Sequence, residues 1–364
     1  MGESLARDAD QAIAVLEPAL QSHLTFLWGR NELALSYLFL SIYQQVRGNA
    51  SAVEGLEKAL LYQEQVASLD PEYLVVLQNI LYTRLFLTLA AQNEAELERM
   101  LAHADTVFAR CLKINSQFQQ CYLNYGEIYA RAAQRTFFSG GNAQPRLDRA
   151  LENLAAARKL GDQFLDLEQF TALAHWVDAS LRVRRKSDPT PALKELESAL
   201  PRCFALAKTD AMCRTLAAQA KWVEGDWARL SGRSALPALK QALGNAIFAT
   251  QSPEVYPDAT RVLAETYHLL AREENRNAAN RRQYIGAGLL AVQKVFAVNP
   301  NHAAAWATQG ALQLLRAETE PGVNPREQAQ IALASFEQAL RLDPMLTTDF
   351  VTLSRKARLL ATSH

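Results

Sequence analysis

The sequence predicts an all-α protein in which similar helix pairs repeat from one end of the chain to the other. Turn-like segments return about every 45 residues along the 364-residue chain, which is typical of a repeat array. Apolar residues between these segments recur at i, i+4 and i+7, on one face of a helix. Hydrophobic residues make up 49% of the chain, with only 15 glycines and 13 prolines, so it can bury a substantial core. About sixteen helices are expected.

The repeats are marked by boundaries that follow an apolar helical segment. Their even spacing predicts that residues 1–364 form a single array, and not the two globular domains that length alone suggests. The boundaries fall at or near these eight residues: Leu24, Pro71, Ser116, Asp162, Ala211, Glu254, Pro300 and Pro344.

Each unit is expected to contain two helices. The helix before a boundary carries apolar residues on one face, as Ala332, Phe336 and Ala339 do. The helix after a boundary has an aromatic residue and then a small one, as in Trp306 and Gly310, and the small residue lets neighbouring helices approach closely. We expect three of these helices to start at a proline whose preceding residue is the N-cap. The three pairs are Asp70 with Pro71, Asn299 with Pro300, and Asp343 with Pro344.

Two units resemble the tetratricopeptide repeat (TPR), with its W…G…Y and A…F…A…P pattern. The last full unit matches at Trp306, Gly310, Ala332, Phe336, Ala339 and Pro344. An earlier unit matches at Tyr122, Gly126, Tyr129, Ala150, Leu154 and Ala157. The resemblance implies a right-handed superhelical TPR-like solenoid of about sixteen antiparallel helices. TPR units have about 34 residues, and we expect the surplus here between the two helices of a unit, as in RRKSDPTP and ETEPGVNPR.

The elongated units resemble those in the C-terminal TPR arrays of bacterial Ser/Thr protein kinases. The segments that carry this resemblance are RRKSDPTPALKELESAL and SGGNAQPRLDRALENL. It implies a regulatory or substrate-recruiting region, and because the chain begins directly with a repeat helix we expect it to be part of a longer protein. A free-standing cytoplasmic TPR adaptor in multiprotein complex assembly is the alternative.

Charge and hydropathy argue against several classes of partner. Lys and Arg number 38 and Asp and Glu number 38, so the net charge is zero and the electrostatic attraction used by nucleic-acid binders is missing. Apolar runs are too short for a transmembrane helix, and the N-terminus lacks the pattern of a secretory signal. The four cysteines form neither a CxxC motif nor a dense disulfide framework, so we expect buried free thiols and a cytoplasmic protein.

Motifs that would carry chemistry are absent from the sequence. There is no phosphate-binding GxxxxGK[ST], no kinase HRD or DFG, no HExxH and no GxSxG. The six histidines occur singly, without the i, i+4 pairing of a zinc site. We therefore expect a non-enzymatic chain with no cofactor and no metal.

The candidate binding residues follow from the TPR frame. The first helices of successive units line the concave surface on which such solenoids bind extended ligands. The frame implies eight peptide-binding residues there: Gln120, Leu123, Glu127, Arg131, Asp258, Arg261, Glu265 and His268. Their charges are of mixed sign, which does not reproduce the Lys/Asn carboxylate clamp of chaperone-binding TPRs. The partner implied is a protein or peptide, with self-association as an alternative and no nucleic acid, membrane or metal.

The tryptophans offer another surface. A groove around Trp176, Trp222 and Trp227 could accept an amphipathic helix of a partner, although burial of tryptophan between helices is the commoner use.

Overall fold

A computed structural model describes residues 3–23, 25–161, 163–252, 256–274, 277–347 and 350–362. These residues form sixteen α-helices and no strand, which confirms the predicted class and helix number. The helices are α1 (Glu3–Ser22), α2 (Leu27–Val46), α3 (Ala52–Leu69), α4 (Leu74–Ala90), α5 (Glu94–Ile114), α6 (Gln119–Ser139), α7 (Gln144–Leu160), α8 (Leu165–Arg184), α9 (Thr190–Leu206), α10 (Ala211–Leu230), α11 (Leu236–Ala249), α12 (Pro257–Glu273), α13 (Ala278–Val298), α14 (Ala303–Thr319), α15 (Pro325–Leu342) and α16 (Phe350–Thr362).

The chain divides into two compact units. One contains Met1–Gln134 and Ala143–Phe170, and the other contains Arg135–Asn142 and Thr171–His364. In the first, Leu33, Leu38 and Leu56 are completely buried in a core shared by α2 and α3. In the second, one core surrounds Trp222 on α10 and another surrounds Phe336 on α15. The single array over 1–364 stays a prediction.

The predicted unit boundaries stay a prediction, and the structure gives the helix ends near five of them. Positions 71, 116, 300 and 344 lie in turns between helices, and 211 is the first residue of α10. Leu24, Asp162 and Glu254 lie outside the described residues.

Glycines allow the two helices of a pair to approach closely, as the sequence predicted. A β-carbon added to Gly126 of α6 would lie 2.8 Å from Leu154 Cγ of α7. One added to Gly310 of α14 would lie 2.7 Å from Phe336 Cε1 of α15. The side chain of the second helix therefore occupies the space that any larger residue on the first would need.

The expected location of the surplus residues is wrong. The connection within a pair is short, for example residues 91–93 between α4 and α5 and 320–324 between α14 and α15. The helices are long, with 20 residues in α2 and 21 in α6. The extra length of each unit thus lies in the helices, because the apolar faces continue for additional turns.

The capping prediction at the Asx-Pro pairs is also wrong. Asp70, Asn299 and Asp343 are the C-caps of α3, α13 and α15, and the next helix starts several residues later. Each side-chain oxygen accepts a hydrogen bond from the backbone N–H two residues on, at 3.2, 3.0 and 3.0 Å respectively. An Asx residue followed by proline favours a turn of this kind, since proline fixes the backbone for the second turn position.

The cysteines do not remain free thiols. Cys111 of α5 is bonded to Cys121 of α6, and Cys203 of α9 to Cys213 of α10. Their Cα atoms are 6.5 and 6.4 Å apart, within the range of disulfides. Each bond crosses a turn between repeats and joins residues of adjacent helices, a proximity that the ten-residue spacing alone did not suggest.

Candidate functional site

The α12 ladder is a set of four predicted residues on one face of α12: Asp258, Arg261, Glu265 and His268. Arg261 donates from Nε to Asp258 Oδ1 at 2.9 Å and from Nη1 to Glu265 Oε2 at 2.6 Å. The Asp258 side chain is 43% exposed and that of Glu265 is 31% exposed, so both carboxylates remain accessible. Spacings of three and four residues make these contacts possible within a single helix.

The charges of the α12 ladder are fixed by their neighbours. Although desolvation raises the pKa of Asp258, His302 at 3.6 Å and the Arg261 charge lower it to well below the usual range. Burial, with the Arg272 charge in addition, lowers the pKa of His268 to about 3. His268 is therefore neutral at physiological pH, and two carboxylates flank one guanidinium. The ladder presents hydrogen-bond donors and acceptors with a net negative charge.

The four predicted residues of α6 differ strongly in exposure. Gln120 and Arg131 are partly exposed. Leu123 is completely buried and presents no surface to a ligand, because it packs among the helices. Glu127 is 1% exposed, and neither of its carboxylate oxygens accepts a hydrogen bond from a described residue. Two of the four α6 residues, Leu123 and Glu127, therefore belong to the interior and not to an open ligand-binding face.

The Glu127 site is named for this carboxyl and comprises Glu127 with the three ionisable side chains whose charges interact with it, Tyr82, Arg131 and Asp166. Burial raises the pKa of Glu127 well above its usual range, Asp166 raises it further, and Arg131 opposes them. The pKa of the Tyr82 hydroxyl is also raised, by burial and by the charges of Glu127 and Asp166.

Two further aromatic rings neighbour members of this site, Phe86 beside Tyr82 and Phe170 beside Arg131. The rings of Tyr82 and Phe86 on α4 meet edge to face at 5.2 Å, and both are partly exposed. The Arg131 guanidinium lies over the Phe170 ring at 5.3 Å. Sequence reasoning missed these aromatic residues and Asp166. The repeat period offered one signal, since Tyr82 precedes Glu127 by one repeat and occupies the matching position on α4.

Of the three tryptophans of the predicted groove, Trp176 and Trp222 are buried and Trp227 is partly exposed. Trp176 is 5% exposed and its ring lies 6.2 Å from that of Phe137 and 6.1 Å from that of Phe138. Trp222 is 8% exposed, and its indole Nε1 donates to Thr266 Oγ1 at 3.0 Å. Both rings pack between helices, which is the commoner use of buried tryptophan.

One group among the described residues has the donor types of a metal site. It consists of Cys203, Asp210 and Cys213, whose ligand atoms lie within 4.8 Å of one another. Both sulfurs are committed to the disulfide, and Asp210 Oδ1 caps α10 by accepting from the backbone N–H of Cys213 at 2.7 Å. These residues therefore have structural roles and do not fit a metal ion as they stand.

None of the helices in the described part of the chain has the length and apolarity needed to cross a lipid bilayer.

Comparisons with known proteins bear on the fold. Neither a protein-family model nor a curated protein matches the sequence. Yeast Tom70 matches 97% of this chain with 13% identity and a TM-score of 0.51, and the chain spans 59% of it, less than two thirds. Human IFIT1, as a dimer with PPP-AAAA, matches 98% of the chain with 14% identity and a TM-score of 0.55, and the chain spans 70% of it. The described residues thus have the all-helical fold of a TPR solenoid.

Proposed function

We propose that this chain is a non-catalytic scaffold that binds a protein or peptide on the concave face lined by the first helices of its repeats. The α12 ladder is the observation that carries the proposal. Its two accessible carboxylates are held in fixed positions by hydrogen bonds from Arg261. Preorganised polar groups of this kind can pair with a peptide backbone or side chain at little entropic cost.

The ladder's charge supports a protein ligand over a nucleic acid. Arg261 is flanked by two carboxylates, so its positive charge is already neutralised. Nucleic-acid binding draws most of its affinity from cations that neutralise phosphates. An RNA bearing a 5′-triphosphate is the appropriate competitor to test, since human IFIT1 shares the fold and was solved with PPP-AAAA.

The cellular setting of the scaffold is a second part of the proposal. The elongated, proline-led units support the regulatory or substrate-recruiting region of a bacterial Ser/Thr protein kinase, and a free-standing adaptor is the alternative. Immunoprecipitation from native cells, with mass spectrometry of the captured protein, separates them. A species near 40.4 kDa supports the adaptor. A heavier species that yields kinase-domain peptides supports the kinase setting.

The cytoplasmic location stays a prediction, and one of the arguments for it no longer holds. It depended partly on free thiols, whereas the cysteines form two disulfides. Disulfides persist mainly in oxidising compartments. Fractionation of the same cells, with the thiols blocked before lysis, measures both the compartment and the redox state of the cysteines.

The binding surface is tested by matched charge reversals. Glu265→Arg on the α12 ladder should weaken capture of the partners identified by immunoprecipitation by about ten-fold or more, since it places a second cation beside Arg261. Glu152→Arg on α7 is the control because Glu152 is exposed on the second helix of its pair. Equal capture by both variants would contradict a binding role for the α12 ladder, provided both retain the helical content of the unmodified chain.

A further inference from the structure

A small cavity lies where α11, α12 and α13 meet in the second compact unit. Its volume is about 170 Å³, and it opens to solvent. A cavity of about 150 Å³ is large enough to hold a benzene molecule, whereas pockets for drug-sized ligands measure about 300 to 1,000 Å³. The cavity therefore has room for a single side chain of a bound partner.

The floor of the cavity is apolar and its rim is polar. Among the lining residues, Ala249, Ala259 and Val295 are at most 2% exposed. Thr250 and Lys294 also line the cavity, and both are exposed. A side chain that fits these surroundings has a short apolar stem and a polar end.

The charge on the rim indicates the sign of the ligand. Lys294 is the only cationic residue among the described residues that line the cavity, and it forms no ion pair or hydrogen bond with any of the residues that the structure describes. The hydroxyl of Thr260 lines the same cavity and also has no hydrogen-bond partner in the described part of the chain. A carboxylate pairs with an ammonium group and accepts hydrogen bonds from hydroxyls. The rim therefore suits an anionic end.

The cavity adjoins the α12 ladder. Pro257 lines the cavity and precedes Arg261 by four residues, which places both on the same face of α12. Although desolvation lowers the pKa of Arg261, the charges of Asp258 and Glu265, and after them that of Tyr256, raise it. Tyr256 is itself part of the cavity lining. A peptide bound to the ladder is therefore within reach of the cavity.

We propose that this cavity recognises an acidic side chain, glutamate or aspartate, of a peptide bound at the α12 ladder. This inference rests on the proposed peptide-binding function and specifies one residue of its ligand. The methylene groups of the acidic side chain contact the apolar floor at Ala259 and Val295. Its carboxylate pairs with the Lys294 ammonium and accepts a hydrogen bond from the Thr260 hydroxyl.

The test uses the full chain, immobilised, and randomised peptides with one fixed central residue. The fixed residue is glutamate, aspartate, glutamine, asparagine or lysine, and the peptides are acetylated and amidated so that no terminal carboxylate is present. We expect glutamate and aspartate peptides to be retained about three- to five-fold better than the matching glutamine and asparagine peptides.

The other source of a carboxylate is the C-terminus of a peptide. Glutamine peptides with a free C-terminus test it in parallel. If these peptides are retained better than the amidated ones and the glutamate and aspartate peptides are not, the assignment to an acidic side chain is overturned.

Substitutions at Lys294 test its role without disturbing the core, because its side chain is exposed. Lys294→Met keeps the apolar stem and removes the charge. Since the α12 ladder carries a net negative charge, the ratio of acidic to amide peptides should then fall to about one or below. Retention of the glutamine peptides should be unchanged. Lys294→Glu should reverse the preference toward lysine peptides.

Lys240→Met is the matched control. It removes the same charge from an exposed position on α11 that does not line the cavity, so the acidic preference should persist. An acidic preference that survives Lys294→Met, or that is lost equally in Lys240→Met, would overturn the inference.

Acetylation of lysines, followed by mass spectrometry, supplies an independent readout. A saturating glutamate peptide should slow the acetylation of Lys294 by about three-fold or more, since an ion pair disfavours the neutral amine that reacts. Acetylation of Lys240 should not change, and a glutamine peptide should protect neither lysine. If no peptide of any kind binds, the proposed function itself is wrong. If peptides bind without acidic preference and without protection of Lys294, only the assignment of the cavity is wrong.

Discussion

Arg135 and Asp343 are 208 residues apart in the sequence, and the Arg135 guanidinium donates hydrogen bonds to both carboxylate oxygens of Asp343, at 3.3 and 3.1 Å. The two side chains are only 10% and 20% exposed. Close by, Thr347 Oγ1 donates to the backbone carbonyl of Ser139 at 3.2 Å. The turn after α15 is thus attached to the C-terminal end of α6.

The first prediction concerns this ion pair. Asp343→Asn keeps an acceptor for the backbone N–H of Met345 but removes the charge that Arg135 pairs with. We expect the free energy of unfolding to fall by about 1.5 to 3 kcal/mol, the contribution of a hydrogen-bonded charged group. Urea denaturation measures it. In the control Glu3→Gln, whose pair with Arg47 is 79% and 37% exposed, the loss should stay below about 1 kcal/mol. Equal losses of stability in Asp343→Asn and Glu3→Gln would show that the buried ion pair contributes no more than the exposed one.

The second prediction compares two helical glycines. In Gly310→Ala the new methyl group meets the Phe336 ring, which is completely buried and has no space to move. Stability should fall by about 1 to 3 kcal/mol. In Gly244→Ala on α11 nothing lies within 4 Å of the new methyl group, and stability should rise by about 0.5 to 1 kcal/mol. Thermal unfolding of the two variants should therefore shift in opposite directions.

The third prediction concerns the disulfides. Each joins cysteines ten residues apart, and the chain-entropy model gives about 2 to 3 kcal/mol for closing a loop of that size. Cys203→Ala combined with Cys213→Ala should lower the free energy of unfolding by that amount. Adding reductant to the unmodified chain should remove both contributions. Alkylation under denaturing conditions without reductant should label no cysteine, and labelling of all four would show that the bonds do not form.

The fourth prediction is a pH dependence from His268. Its pKa in the fold is about 3, whereas histidine in an unfolded chain titrates near 6.5. Between these values the unfolded chain binds more protons than the fold, so stability decreases as pH falls from 6.5 toward 3 and is unaffected above that window. His268→Gln should lose this component, with a slope of at most about 1.4 kcal/mol per pH unit. Parallel stability curves for the two proteins below pH 6 would contradict it.

The fifth prediction concerns α16 as the cover of the Phe336 core. Phe350 of α16 lies 6.0 Å from Phe336 between ring centres, and Ala357 is part of the same core. Deletion of residues 344–364 should expose Phe336 and promote aggregation, because α16 packs on this apolar core and exposed apolar surface favours association. Light scattering measures the aggregation and thermal unfolding measures the stability.

Val351→Ser is the control because Val351 is 45% exposed, so this substitution should change stability by less than about 0.5 kcal/mol. A truncated chain that stays monomeric with unchanged melting would contradict this covering role of α16.

The sequence by itself determined the features that depend on local spacing. The helical class, the number of helices and the repeat period follow from apolar residues at helical intervals, as with Ala332, Phe336 and Ala339. Close packing at Gly126 and Gly310 was also predictable, because a small residue at this position of the repeat lets the paired helices approach closely in each unit. The α12 ladder was found for the same reason, since its contacts form within one helix.

Only the tertiary structure decided the features that depend on neighbouring helices. Glu127 is 1% exposed, which the spacing within its own helix does not predict, and the disulfides depend on how closely adjacent helices approach. The Arg135–Asp343 pair joins residues 208 positions apart, and no periodic pattern relates them. Hydrophobic periodicity specifies which face of a helix is buried, but the partner that covers a polar group on that face is set by the packing of the helices against one another.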